Sequence, residues 1–217
     1  MRRYKILLAL FLLLLTAGIL YLRQYRHIHQ YDSMILRISS RYNLDPDLVW
    51  AVIYEESYFE RNARSNVGAK GLMQITPIIV REWTRVTHQY DLNKTFPNKN
   101  EHRSNIASPL TEAELLAYPE INIQLGCWYL DQLKKRYEEL ADPLPVMLAS
   151  YNAGPSNAQR WQDSLTTKQP KNKEFSDAYL QRIDFPETRR YVRSILARYQ
   201  NHKELSSDTT VKIYLHE

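Results

Sequence analysis

The sequence contains a single cysteine, Cys127, so no disulfide can form within the chain. The helical pattern around this residue is typical of a small buried hydrophobic side chain. The six histidines are scattered, without a His-Glu-x-x-His segment or any other metal-ligand spacing. A glycine-rich phosphate loop is also lacking, and Ser57 has no evident His and Asp partners. We therefore expect no metal and no cofactor.

Charge and composition indicate a folded protein without naming its partner. At 217 residues and 44% hydrophobic residues, the chain fits one domain with appendages. The net charge of +5 is modest and suits an anionic polymer or a membrane surface. Sixteen tyrosines against five phenylalanines favour aromatic grooves, although tyrosine also fills ordinary cores. A nucleic-acid partner is not expected.

The chain has one long hydrophobic run, residues 6–22, which follows Arg2, Arg3 and Lys5. At about 1.5 Å per residue it reaches about 25 Å, near the short limit for a membrane span. A signal peptide and a signal anchor both fit, but the run continues past the small residues 16–18, which favours an uncleaved anchor. The excess of basic residues before the run favours an N-terminus inside the cell. No cysteine directly follows the run, which excludes a lipoprotein anchor.

A pair of adjacent glutamates ends the first strongly predicted helix of the globular part. Asp45 is a good N-cap and Pro46 suits the first helical position. On a helical wheel Glu56 lies roughly 30° from the centre of the apolar stripe, and Glu55 roughly 70°. Burial disfavours a charged carboxylate, so Glu56 is expected to hold its proton near neutral pH. A protonated acid in a cleft is what glycosidic bond cleavage needs, but a solvated surface pair gives the same pattern.

Four groups of residues around and after this pair form an ordered set. They are Glu56-Ser57 with residues 63–75, Asn122-Ile123 with Gly126 and Tyr129-Leu130, the Ala-Ser-Tyr-Asn-Ala-Gly of residues 149–154, and Glu187-Thr188-Arg189 with Tyr191-Val192. Together they resemble the lytic transglycosylase domain of the soluble lytic transglycosylase type, over roughly residues 30–200. Because all four occur in the family's order, the resemblance is far more specific than any one motif.

The resemblance implies a mainly α (α+β), lysozyme-like fold preceded by the transmembrane or signal-anchor helix. The expected organisation is an anchor over residues 1–22, a polar tether over 23–30, the domain over 31–202 and a polar tail over 203–217. Residues 84–118 are interpreted either as an insertion over the substrate cleft or as a disordered or decorative loop. A small β hairpin around residues 60–75 is possible, as is a short strand over 211–215.

The implied activity is cleavage of peptidoglycan glycan strands at the outer side of a bacterial inner membrane. In this family one glutamate, here Glu56, first protonates the glycosidic oxygen and then removes the proton of the muramoyl C6 hydroxyl. That hydroxyl attacks its own anomeric carbon and leaves a 1,6-anhydro end. Attack within one sugar has a very high effective molarity, so neither water nor a second carboxylate is required.

The resemblance also implies seven substrate-binding residues, five of which have a simpler structural alternative. They are Ser57, Met73, Gln74, Tyr151, Asn152, Glu187 and Tyr191. Met73 could instead be core, Tyr151 a buried tyrosine with a satisfied hydroxyl, and Tyr191 a core residue. Glu187 could simply be an acidic residue that the helix dipole favours in a first turn, and Ser57 could be an ordinary helix C-terminal serine.

Two other functions remain open from the sequence. A hydrolytic muramidase of the same fold would need a second carboxylate, for which Glu82, Asp91 and Glu101 are candidates. A non-catalytic wall-binding scaffold of a secretion or assembly machine is the other, although the intact set of Glu56, Gln74 and Tyr151 argues against it.

Overall fold

The computed structural model of the protein describes residues 2–86, 118–165 and 173–207. Within these ranges the chain forms nine α-helices. Their bounds are α1 Arg2–His29, α2 Asp32–Arg41, α3 Pro46–Ser57, α4 Pro77–Val86, α5 Pro119–Arg136, α6 Leu144–Ala153, α7 Pro155–Asp163, α8 Lys173–Arg182 and α9 Pro186–Ser207. The expectation of a mainly helical domain behind an apolar N-terminal helix is confirmed.

Helix α3 lies at the centre of the globular part, and its ends follow from its sequence. The Asp45 side chain accepts a hydrogen bond from the Asp47 amide at 3.0 Å, and Pro46 occupies the first turn. The helix ends at Tyr58, which adopts a left-handed conformation with φ 53°. Six consecutive residues, 48–53, are buried on all sides between α2 and α9. This burial on every face fixes the position of α3 and so places the two glutamates at its end.

Helix α5 forms the second buried layer and packs against α2, α4 and α6. Ten of its residues are buried, among them the polar Asn122 and Gln124. The lone cysteine, Cys127, is fully buried on this helix, and burial raises its pKa above the usual range. An inert core thiol is the consequence, as the sequence predicted.

The segment between α3 and α4, residues 58–76, carries two isolated antiparallel bridges rather than a hairpin, and we call it the bridged segment. Lys70 pairs with Arg64 on one side and with Ile75 on the other. The possible strand pair around residues 60–75 is thus reduced to single bridges. This segment matters because it forms one wall of the cavity described below.

Helix α1 continues to His29, so the segment 23–30 expected as a tether is helical over nearly all its length. The apolar part is long and hydrophobic enough to cross a membrane, and none of it is buried in the protein. A signal sequence near an N-terminus would meet the same test. At the other end, α9 extends helical structure to Ser207, past the expected start of the tail. Helix α4 reaches Val86; the remainder of the expected insertion and the possible strand over 211–215 lie outside the described residues.

Candidate active site

A cavity of about 410 Å³ opens beside the C-terminal end of α3. Its walls come from that end, from the bridged segment before α4, from the start of α4, and from α5, α6 and α7. The residues that line it are Glu56, Ser65, Val67, Ala69, Gln74, Thr76, Ile78, Ile79, Tyr129, Tyr151, Asn152, Gly154 and Pro155. Apolar side chains with a few convergent polar groups are typical of a ligand-binding cleft.

Glu56 supplies the only acidic side chain among the described residues that line this cavity. Its carboxylate Oε1 accepts a hydrogen bond of 2.6 Å from the hydroxyl of Tyr191 on α9. Burial raises the pKa of Glu56 from 4.5 to about 7, the Tyr191 bond opposes this rise, and the charge of Glu55 adds to it. The carboxyl group is therefore poised to give up or take a proton near neutral pH.

Glu55, the preceding residue, faces a different partner set. Its Oε2 accepts a hydrogen bond of 2.6 Å from Ser194 and lies 3.8 Å from the guanidinium of Arg198. That guanidinium also stacks 3.7 Å over the ring of Tyr54. Glu55 does not line the cavity, so its role is to hold α9 against α3.

Tyr151 joins the cavity wall to the backbone of the bridged segment. Its hydroxyl donates to the carbonyl oxygen of Met73 at 2.8 Å, and its ring lies 5.4 Å from that of Tyr129. Burial, with the nearby charge of Glu56, raises the Tyr151 pKa well above its usual value. The hydroxyl is thus a neutral hydrogen-bond donor at the site rather than an acid.

Asn122 holds the bridged segment in position from α5. Its Oδ1 accepts from the Met73 amide and its Nδ2 donates to the Lys70 carbonyl, both at 2.8 Å. The segment approaches α5 so closely that a methyl group at Gly126 would meet the Met73 side chain, with its Cβ 2.9 Å away. Next to Met73, Gln74 adopts φ 45° and turns its side chain to the Gly71 carbonyl at 2.9 Å.

Four of the eight predicted site residues meet at the cavity: Glu56, Gln74, Tyr151 and Asn152. Tyr191 is buried behind Glu56 and reaches the site through its hydroxyl. Asn152 is held from behind, since its Oδ1 accepts a 2.7 Å bond from Thr188. The structure thus gathers residues that are up to 135 positions apart in the chain.

The other three predicted residues lie apart from the cavity wall. Met73 is fully buried in the core. Ser57 donates back to the carbonyl of Ile53 at 3.2 Å within its own helix. Glu187 is exposed in the first turn of α9. For these residues the simpler structural interpretations describe the observed contacts.

Tyr129 and the apolar rim were not predicted as site residues. Tyr129 follows Asn122 by seven residues and Gly126 by three, which places all three on one face of α5. Since Asn122 and Gly126 both face the bridged segment, that spacing was a usable signal for Tyr129. No comparable signal marks Val67 or Ile78, which are exposed apolar residues at the rim.

Of the candidate second carboxylates, Glu82 lies within the described residues and does not line the cavity. Glu82 is exposed on α4 and is absent from the lining, although its charge contributes to raising the pKa of Tyr129. Asp91 and Glu101 lie outside the described residues. Within the described ranges, no group of three or more His, Cys, Asp or Glu side chains could hold a metal ion.

The model of the family described as "Transglycosylase SLT domain" matches residues 33–174, well over half of the chain. The chain therefore belongs to the transglycosylase SLT domain family. This bears out the resemblance seen in the four motifs.

Relatives agree with this assignment over limited parts of their length. A membrane-bound lytic murein transglycosylase F from Desulfosudis oleivorans is 31% identical over 135 residues, 61% of this chain and 24% of the relative. The crystal structure of lytic transglycosylase Slt from Pseudomonas aeruginosa aligns with TM-score 0.64 and 26% identity over 84% of this chain and 25% of that one. The 70 kDa soluble lytic transglycosylase of Escherichia coli aligns with TM-score 0.61 over 86% of this chain and 27% of that one. At 23% identity the last likeness concerns the fold, which is lysozyme-like as predicted. The chain spans about a quarter of the length of these relatives.

Proposed function

We propose that this protein is a membrane-anchored peptidoglycan lytic transglycosylase. It would cleave the β-1,4 bond between N-acetylmuramic acid and N-acetylglucosamine and form a 1,6-anhydromuramoyl end. The observation that carries the proposal is Glu56, an acid with a pKa of about 7 and the only carboxylate on the described cavity wall. A hydrolytic mechanism commonly uses two carboxylates at fixed separation, which this cavity does not offer among the described residues.

The chemistry uses one proton at a time. Protonated Glu56 gives its proton to the glycosidic oxygen as the bond to the muramoyl anomeric carbon breaks, so the leaving sugar departs with a neutral hydroxyl. The resulting carboxylate then accepts the proton of the muramoyl C6 hydroxyl while that oxygen bonds to the same anomeric carbon. Glu56 is thereby returned to its protonated form, and no water is consumed.

The neighbours of Glu56 suit these two steps. Tyr191 donates to Oε1, which directs the other carboxylate oxygen for proton transfer and stabilises the carboxylate formed midway. Tyr151 and Asn152 line the cavity from the end of α6, and Gln74 offers amide hydrogen-bonding groups to sugar or acetamido oxygens. Ser57, Met73 and Glu187 are proposed to act through these residues, by supporting the helix ends and the bridged segment from which the cavity is built.

The relatives support the same activity. Those cited above are lytic transglycosylases, and the Pseudomonas protein was solved as an inactive mutant with glutamine in place of a glutamate. Such a change keeps the shape of the side chain and removes its proton chemistry. An inactive variant of this kind supports a catalytic glutamate in that relative, which is the role proposed here for Glu56.

The proposed location is the inner membrane of a bacterium, with the domain on the outer or periplasmic side. The apolar part of α1 is exposed over its whole length, and one relative is named as membrane-bound. The basic residues before the apolar run favour an N-terminus inside the cell.

Product analysis on purified sacculi tests the proposal. The full chain in detergent micelles should release muropeptides that mass spectrometry identifies as 1,6-anhydro species, and the Glu56→Gln variant should release none. Reducing ends would instead identify a hydrolytic muramidase. Tight binding to sacculi without released sugars would identify a wall-binding scaffold. Either result would overturn the proposal.

A further inference from the structure

Residues 24–29 of α1, which follow the membrane segment, contact the globular domain, and we call them the docked stretch. Trp50 of α3 donates its indole N–H to the Ile28 carbonyl at 3.2 Å, and the ring of His29 lies 6.1 Å from that of Trp50. Nearer the membrane segment, His27 Nε2 lies 2.8 Å from the Tyr58 carbonyl, and Gln24 bonds the Tyr58 hydroxyl. These contacts attach both ends of this stretch to the end and the side of α3.

These contacts give the direction of α1 relative to the domain. Moving along α1 from Ile28 to Gln24, towards the apolar run, corresponds to moving along α3 from Trp50 to Tyr58. The two helices therefore run in opposite senses. The C-terminal end of α3, which carries Glu56, is the end nearer the membrane segment.

Helix α9 also runs antiparallel to α3, with its late turns near the end of α1. Tyr199, late in α9, donates to Asp45 at the start of α3 at 2.7 Å, whereas Tyr191, about two turns earlier in α9, donates to Glu56 at its end. The ring of His202 lies 6.3 Å from that of His29. The N-terminal turns of α9 are therefore at the membrane-proximal end together with Glu56.

The remaining separation from the bilayer is small. Leu22, the last apolar residue, precedes Gln24 by two residues, which is about 3 Å along a helix. The headgroup region on each side of a bilayer is about 5–7 Å deep, so it would overlap the level of Gln24 and Tyr58. A flexible tether of the same residues could instead extend by more than about 20 Å.

The charge at this end suits lipid phosphates. Arg189, Arg190 and Arg193 border a groove of about 430 Å³ on the early turns of α9. Arg190 and Arg193 are exposed and form no ion pair with other described residues. Guanidinium groups bind phosphate with two parallel hydrogen bonds, so exposed arginines at this level match the chemistry of lipid headgroups.

We propose that the docked stretch of α1 seats the domain directly on the lipid headgroups, with the Glu56 end facing the bilayer. The partner surface is the anionic phospholipid layer that α1 enters, and the arginine groove of α9 contacts it. This rests on the proposed membrane insertion of α1. It follows that the enzyme reaches glycan lying against the membrane and not strands farther out in the wall.

Two labels on one helix test the orientation. Glu187 and Asn201 are both exposed on α9, lie about 21 Å apart along its axis and share nearly the same face. Each is changed to cysteine in a Cys127→Ala background, labelled with a fluorescent donor, and the full chain is reconstituted in phosphatidylcholine–phosphatidylglycerol vesicles with a headgroup acceptor. We expect the Glu187→Cys label to lie at least about 10 Å closer to the headgroups. Equal distances, or the reverse order, would overturn the orientation.

A linker insertion provides the matched control without altering the domain. Eight Gly and Ser residues between Leu22 and Arg23 leave all contacts of the docked stretch intact but free the domain from the membrane segment. The two label distances should then converge, and the reconstituted variant should release more product from added sacculi than the wild type does. An unchanged pair of distances or unchanged release would reject the seating. If neither protein forms anhydro products while the label order holds, the catalytic proposal fails and the seating stands.

Discussion

The two flanks of the end of α3 use the same side chain for opposite purposes. On one flank Glu55 meets Ser194 and the guanidinium of Arg198, so its charge is satisfied. On the other flank Glu56 meets one tyrosine hydroxyl and otherwise a mainly apolar cavity, and burial raises its pKa to about 7. The difference arises from what α9 presents to each residue. A carboxylate paired with a cation stays charged and has a structural role, whereas a buried carboxylate without such a partner is available for acid–base chemistry.

The largest expected effect separates the two flanks by activity. Glu56→Gln should lower the rate of anhydromuropeptide release by about 10³-fold or more, since proton donation to the leaving oxygen is lost. Glu55→Gln, one residue away and equal in size, should retain activity within about tenfold. The rates are measured on sacculi by chromatography of released products. Comparable losses in both variants would mean that the damage is structural.

The next effect is on stability and its dependence on pH. Because the pKa of Glu56 is raised from 4.5 to about 7, the folded state keeps a proton that the unfolded state releases between these values. Raising the pH through this window therefore favours unfolding, by up to about 3 kcal/mol above pH 7. Glu56→Gln should remove this decline.

Chemical unfolding of the full chain in micelles at pH 5 and pH 8 measures this effect. The wild type and Glu55→Gln should both lose stability between the two pH values, and Glu56→Gln should lose less. If all three proteins show the same slope, Glu56 is not the group that titrates in this window.

A smaller effect concerns the bridged segment that forms the cavity wall. Gly126→Ala should destabilise the protein by about 1–3 kcal/mol, because the new methyl group would overlap the Met73 side chain. Since the Met73 carbonyl accepts the Tyr151 hydrogen bond, activity should fall as well. Gly18→Ala, which meets nothing within 4 Å, is the control for thermal unfolding and for product release. Equal behaviour of the two variants would contradict the close contact.

The smallest effects should have opposite signs. Tyr191→Phe removes the hydrogen bond that lowers the Glu56 pKa, so the alkaline loss of kcat/KM should move to higher pH. Glu55→Gln removes a charge that raises the same pKa, so the loss should move to lower pH. Both pH profiles are measured on a soluble glycan substrate. Shifts in the same direction would contradict the opposite effects of Tyr191 and Glu55 on the pKa of Glu56.

Much of the helical framework could be predicted from local sequence. Asp45 and Pro46 begin α3, Pro186 begins α9, and the apolar spacing gives each helix its buried side, because caps and periodicity act within a few residues. The tether was the exception. Its residues are polar enough to be solvated, yet they are helical. The reason is tertiary, because Trp50 and Tyr58, distant in the chain, form hydrogen bonds with Ile28 and His27.

The residues of the site divide in the same way, into those that the sequence indicated and those whose position depended on tertiary packing. From the sequence, the helical wheel singled out Glu56, and the motif resemblance supplied Gln74, Tyr151 and Asn152. That Met73 is core and Glu187 is exposed was decided by tertiary packing, as was the choice of Tyr191 as partner of Glu56. Local pattern determines which side of a helix a residue occupies; only the packed fold determines what stands opposite, and the pKa of Glu56 depends on that neighbour.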